Sequence, residues 1–306
     1  MNILKKIGSA LAFPWKHNKV FSIVTTTVMV LLIAVAIVVT QVPLIYLTLN
    51  SVIGDERRVL VSGDPSTAQY YTADEGINNK ADALAYANSV NEELCEEGFV
   101  LLKNDNSLPL AHGAKVSVFG INSADLVYGG SGSAAKDNED NVDLYKSLEN
   151  AGIQYSTALK NFYESKLSEG EGRPDSPAMG ATINGFATGE LALSEYAGGI
   201  EAYTDGCEDA ALMVVSRIGG EGYDLPRTML NTDSDGTTIA GASREAHYLE
   251  LDENEKALLA ELCAEDSPFD NVILILNTST SIELGFLNDG TYGAKLKGAM
   301  WIGLPG

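Results

Sequence analysis

Histidine, cysteine and basic charge are all scarce in this 306-residue chain. There are three histidines, and the three cysteines, Cys95, Cys207 and Cys263, lie far apart with no CxxC pair. That pattern excludes the common zinc layouts. Cys95 and Cys263 fall in helical patterns, where a buried thiol is the ordinary reading. One disulfide among the three stays open outside the cell, and spacing does not choose the pair. The chain has no GxSxG elbow, no HExxH pair and no Cys–His pairing, so serine, zinc and thiol mechanisms lack their residues. Lysine and arginine total 20 against 42 aspartates and glutamates, a net charge of −22. Nucleic acid and anionic lipid surfaces need basic patches and are poor partners for such a chain. An acidic surface suits a neutral or cationic ligand without choosing between them.

Charge is missing altogether from Val20 to Thr40, "VFSIVTTTVMVLLIAVAIVVT". As a helix these residues span about 31 Å, the thickness of a bilayer's hydrocarbon core. The apolar run continues past Pro43 as "LIYLTL". Lys5, Lys6, Lys16 and Lys19 precede the span, and the next basic residue is Arg57. The positive-inside rule then places residues 1–19 in the cytoplasm, a transmembrane anchor over 20–49, and the rest outside the cell membrane. A cleaved signal peptide would have a shorter apolar region and a small-x-small cleavage site. Residues 50–80 are polar and turn-rich and read as a spacer.

From Ala81 the pattern is globular. "ADALAYANSVNEELCEEG" has helical spacing and stops at Gly98. "FVLLK" and "KVSVFG" read as short strands buried on both faces. "NVDLYKSLENAG" is a helix ending in glycine, "IQYS" a short strand, and 170–200 a long glycine- and serine-rich loop. "DAALMVVSR", "NVILILN" and "GAMWIGL" are further buried strands. "LDENEKALLAELCAE" is a helix with Asp252 and Glu253 in its first turn, where the helix dipole favours acids. Strands alternating with helices give an α/β fold, a mainly parallel sheet sandwiched by helices, here over residues 81–306 and preceded by one transmembrane helix. Ligands of such sheets bind beyond the carboxyl ends of the strands.

Two motifs follow strands. "YGGSGS", Tyr128 to Ser133, leaves backbone N–H groups free to meet a ligand's oxygens. It fails the GxGxxG and GK[ST] nucleotide fingerprints, and a surface turn is the plainer alternative. "RIGGEGYD" sets Glu221 between glycines just after "ALMVVSR". A carboxylic acid there can protonate a leaving oxygen if partial burial raises its pKa. A solvated loop glutamate is the bland alternative.

The ordered series "EEGFVLLKNDNSLPL", "KVSVFG", "YGGSGS", "LMVVSRIGGEGYD", "YLELDENEKALLAEL", "NVILILNTSTSIELGFL" and "AMWIGLPG", from about Asn88 to Gly306, resembles the C-terminal domain of glycoside hydrolase family 3. Beta-glucosidases are its best-known members. The resemblance implies an α/β sandwich beside a TIM-like barrel, and retaining hydrolysis of a beta-linked oligosaccharide or glycoside in a cleft between them. It implies an aspartate nucleophile on the barrel and carries the acid/base role onto Glu221. Tyr128, Gly129, Gly130 and Ser131 match the glycine-serine loop bordering the sugar pocket. Arg217 and Asp224 are expected to support the Glu221 loop. The family's usual order puts the barrel first. Here an anchor leads directly into the sandwich, which points to a permuted order with a barrel downstream and to a sandwich incomplete at its C-terminal end. No stretch resembles the nucleophile motif, so the chain by itself is expected to be inactive. The chemistry needs no metal or organic cofactor. The competing class is a membrane-tethered sugar-binding or interaction domain on a hydrolase scaffold, without catalysis.

Overall fold

The computed structural model describes residues 18–40, 45, 77, 79–130, 142–173, 187–219, 221, 225, 229 and 246–305. The chain divides into two compact units, Met1–Gly76 and Ile77–Gly306. In the first, helix α1 (Lys19–Thr40) is long and apolar enough to cross a membrane. Its described side chains are almost all exposed.

The second unit opens with α2 (Lys80–Gly98), whose N-cap Asn79 accepts from the Asp82 N–H. None of its residues is buried, and Leu84, Tyr86 and Leu94 face outward despite the apolar spacing. The chain continues through β1 (Val100–Asn104), β2 (Lys115–Phe119), α3 (Leu144–Asn150), β3 (Gln154–Tyr155), α4 (Thr157–Ser168), β4 (Ala210–Arg217), α5 (Glu253–Cys263), β5 (Val272–Thr278) and β6 (Leu296–Trp301). The strands form one sheet in the order β1-β6-β5-β4-β2-β3. All neighbouring pairs are parallel except β1 with β6. The α/β fold with a mainly parallel sheet is therefore as the pattern predicts.

Strand β4 shows why its sequence reads as an unbroken apolar run: all eight residues are buried. Ala211, Met213 and Val215 face a core built with Leu159 and Tyr163 of α4 and Leu258, Leu259 and Leu262 of α5. Ala210, Leu212 and Val214 face the opposite core, with Tyr145 of α3. A central parallel strand covered by helices on both sides needs apolar residues at every position.

Several expectations change. Strand β1 is not buried on both faces. It is the antiparallel edge strand, with Val100, Leu101 and Leu102 exposed. Helix α4 lies where the sequence reading placed no element. In the stretch read as a loop, residues 187–200 contain only a 3-10 turn at Leu193–Glu195 and the start of another at Ile200–Tyr203, yet Ala187, Thr188, Glu190, Leu191, Tyr196 and Ile200 are buried in the domain. Asp252 is the N-cap of α5 rather than part of its first turn, in a reciprocal capping box with Glu255. All three thiols are free. Cys207 is buried, whereas Cys95 and Cys263 are only half-buried.

Candidate functional site

The chain runs from β2 outward to β3, then crosses back to β4 on the other side of β2. The carboxyl ends of β2 and β4 therefore form the topological switch point, where a crevice opens in doubly wound sheets. Both sequence motifs emerge there. Tyr128, Gly129 and Gly130 follow β2, and Glu221 follows β4.

Close packing ties the two segments together. Val127, just before the first motif, and Ile218, just before the second, share a buried cluster with Tyr248, packed by Leu225 and by Leu304 after β6. Gly219, the first glycine of the Glu221 loop, packs close to the turn after β5: a Cβ there would press on Ser279 Oγ, a hydroxyl that side-chain rotation can move aside. Gly120, just after β2, has φ +88°, and a Cβ there would overlap the Val214 carbonyl oxygen. Only glycine satisfies both demands.

The turn carrying Tyr128 is held from both sides. Arg173 Nη2 donates to the Asp125 carbonyl at 2.8 Å and pairs with the Asp125 carboxylate at 2.8 Å. Asn277, penultimate in β5, bonds both the N–H and the carbonyl of Val127, at 2.7 and 2.9 Å. Tyr128, Gly129 and Gly130 are half-buried. Burial, with Asp143 and Asp125 nearby, pushes the Tyr128 hydroxyl up to about 12, so it remains a protonated donor at working pH. Glu221 lies in an exposed turn. Ser131 and Asp224 lie outside the described residues.

Arg217, the last residue of β4, is fully buried and touches protein on every side. Its Nη1 and Nη2 grip the Glu255 carboxylate at 2.7 Å each, while Nε donates to the Tyr248 carbonyl and Nη2 to the Glu250 carbonyl. Burial works against the cation, but Glu255, Tyr248 and Asp252 outweigh it and raise its pKa above the ordinary value.

The sequence reading missed a second buried acid beside this pair. Glu190 accepts from the N–H groups of Ile121 and Leu191 at 3.2 and 3.0 Å, behind the end of β2. Burial, then the charges of Glu255 and Asp252, push it up to about 8. Asp252, which accepts from the Thr188 hydroxyl, rises to about 7 through burial and Glu255. The folded domain therefore holds protons that the unfolded chain releases near the ordinary values of 4.5 and 3.8. Their stabilisation is complete below about pH 4 and is lost as pH rises towards 8, at about 1.4 kcal/mol per pH unit for each proton. Thermal melts of the full chain in detergent between pH 4.5 and 8.5 should show this decline, and Glu190→Gln should flatten it. A Glu190→Gln profile parallel to the wild type refutes the assignment.

Among the described residues no group of histidine, cysteine or acidic side chains is arranged to hold a metal ion. The strand order and the helices on both faces of the sheet define a doubly wound α/β domain. More particularly, residues 99–306 match the glycosyl hydrolase family 3 C-terminal domain, and the chain belongs to that family. Beta-glucosidase A from Butyrivibrio fibrisolvens is 30% identical over 164 residues, which cover 50% of this chain and 18% of that protein. A beta-glucosidase from Paenibacillus barengoltzii superposes with TM-score 0.54 and 24% identity, over 71% of this chain and 21% of that one. Beta-glucosidase 3B from Thermotoga neapolitana, solved with alpha-D-glucose, gives TM-score 0.52 and 21% identity, over 74% and 28%. The chain thus spans between a fifth and a third of the solved relatives' lengths and less than a fifth of the curated one's.

Proposed function

We propose that this chain supplies the acid/base half of a retaining, beta-glucosidase-like glycoside hydrolase, with Glu221 as the acid/base. The observation that carries the proposal is the emergence of Glu221 and the Tyr128–Gly130 turn at one switch point in a domain of this family. Retention needs two carboxyl groups roughly 5–5.5 Å apart across the scissile bond. The second, an aspartate nucleophile, is assigned to a TIM-like barrel acting with this domain. In the first step the aspartate attacks the anomeric carbon while Glu221 protonates the departing glycosidic oxygen, releasing the alcohol. In the second, the Glu221 carboxylate takes a proton from water, whose oxygen displaces the aspartate and leaves the sugar with its original configuration. Glu221 is exposed on this chain, so the burial that tunes a general acid has to come from the barrel and the bound sugar. Tyr128, Gly129, Gly130 and Ser131 border the sugar, and Arg217 and Asp224 support the loop. Residues 20–49 are the membrane anchor, with residues 1–19 cytoplasmic and the sandwich outside the cell. The composition of α1 supports the anchor.

The test is hydrolysis of 4-nitrophenyl beta-D-glucoside by the complete, membrane-extracted enzyme, followed by proton NMR. Beta-glucose should appear before its mutarotated form. Alpha-glucose appearing first, or no turnover across a panel of nitrophenyl glycosides, refutes the reading. Release of the protein from membranes by alkaline carbonate refutes the anchor.

A further inference from the structure

Asn277 sits at the end of the apolar run "VILILN" with none of its surface exposed. Five apolar residues precede it, and a sixth would pack as well on both faces of the sheet. A buried amide costs free energy unless every donor and acceptor is matched. Here all are. Oδ1 accepts from the Val127 N–H at 2.7 Å and the Ser216 hydroxyl at 2.9 Å. Nδ2 donates to the Val127 carbonyl at 2.9 Å and the Gly303 carbonyl at 2.8 Å. Two donors and two acceptor sites are the whole capacity of the side chain. The Val127 N–H is an obligate donor and fixes which end is oxygen.

The partners lie on three different strand ends. Val127 adjoins the Tyr128–Gly130 turn after β2. Ser216 is the penultimate residue of β4, five positions before Glu221. Gly303 lies in the turn after β6. One side chain thereby sets the spacing between the segments that border the crevice. We infer that Asn277 is a positioning residue, which holds the glycine turn after β2 at a fixed distance from the start of the Glu221 loop without touching substrate. Its effect on catalysis rests on the acid/base reading of Glu221, whereas its hold on the turn does not.

Three variants separate the parts. Asn277→Asp keeps the two acceptors and loses the Nδ2 donors. Asn277→Leu loses all four bonds. Ser216→Ala removes one bond without altering the amide, and keeps the test open if both Asn277 variants fail to fold. Hydrogen–deuterium exchange by mass spectrometry on the full chain in detergent micelles is the first measurement. Peptides covering 124–130 should exchange about 10-fold faster in Asn277→Leu and by a smaller factor in the other two, with the α4 peptide 157–168 unchanged. Unchanged exchange over 124–130 in every variant that folds overturns the inference.

The second measurement is turnover by the complete enzyme of an alkyl glucoside and a 2,4-dinitrophenyl glucoside. Displacing the proton donor should lower kcat/KM, which reports the first step alone, about 10- to 30-fold for the alkyl substrate and less than 3-fold for the dinitrophenyl substrate, whose leaving group departs without a proton. Equal losses on both substrates would mean only a smaller folded fraction, and overturn the positioning role. A wild type inactive on all glycosides sinks the glycosidase reading instead, and the exchange result then decides whether Asn277 holds the turn.

Discussion

Replacing Glu221 with alanine in the complete enzyme should slow hydrolysis of an alkyl beta-glucoside by about 10² to 10⁴, the usual contribution of a positioned general acid. The loss should depend on the leaving group. An alkoxide departs poorly without a proton, so the first step suffers the whole effect. A dinitrophenolate departs readily unprotonated, so its first step is nearly spared. The slow step then becomes attack of water on the glycosyl-enzyme, because no carboxylate remains to take the proton. Azide needs no such help. Added at millimolar concentration it should restore turnover of the dinitrophenyl substrate and give the beta-glucosyl azide, recognisable by its anomeric proton coupling. The limb of the pH–rate profile belonging to the acid should vanish. Unchanged turnover of the alkyl glucoside would remove Glu221 from the mechanism. A uniform loss without azide rescue would assign it a structural role.

The glycine clusters that carry Glu221 and Tyr128–Gly130 were legible as turns because they follow apolar runs, and the sheet order adds only that the two strands they follow are neighbours. Strands β4 and β5 were legible because a strand covered on both faces announces itself by a nearly continuous apolar run, and β2, with Val116, Val118 and Phe119, carries a shorter version of that signal. Strand β1 has the same composition and lies at the edge, since nothing local tells which strand gains a second neighbour. Helix α4 carried a signal that the reading passed over. Ser156 caps it, and Leu159, Phe162, Tyr163 and Leu167 recur at helical spacing against the core. Asn277, Arg173 and Glu190 were out of reach in another way. Their partners lie 150, 48 and 69 residues away, and each residue type alone is compatible with an exposed turn. A polar residue ending an apolar run, as in "VILILN", is the only hint that the sequence offers for any of them.

Arg217→Ala should destabilise the domain by about 3–5 kcal/mol. The guanidinium satisfies the Glu255 carboxylate with two bonds and the carbonyls of Ser216, Tyr248 and Glu250 with the rest, all in the interior. Removing it leaves Glu255 buried without its cation, beside Asp252 and Glu190. For a domain of this size each kcal/mol corresponds to about 2–4 °C, so the melting temperature should fall by about 10 °C. Lysine cannot replace it, because a point-like ammonium has three donors and cannot form the planar fork. The cost arises from the stranded charge more than from the lost bonds, so removing both charges should hurt less than removing one. In Arg217→Met with Glu255→Gln, the glutamine can still accept from the Asp252 N–H, which the glutamate now does at 2.8 Å, and so preserve the cap of α5. That double variant should melt several degrees above Arg217→Ala. If it melts lower, the ion pair is stabilising in its own right. If Arg217→Ala costs less than about 1 kcal/mol, the junction of β4, α5 and the 248–250 turn does not depend on this residue, and the Glu221 loop needs another anchor.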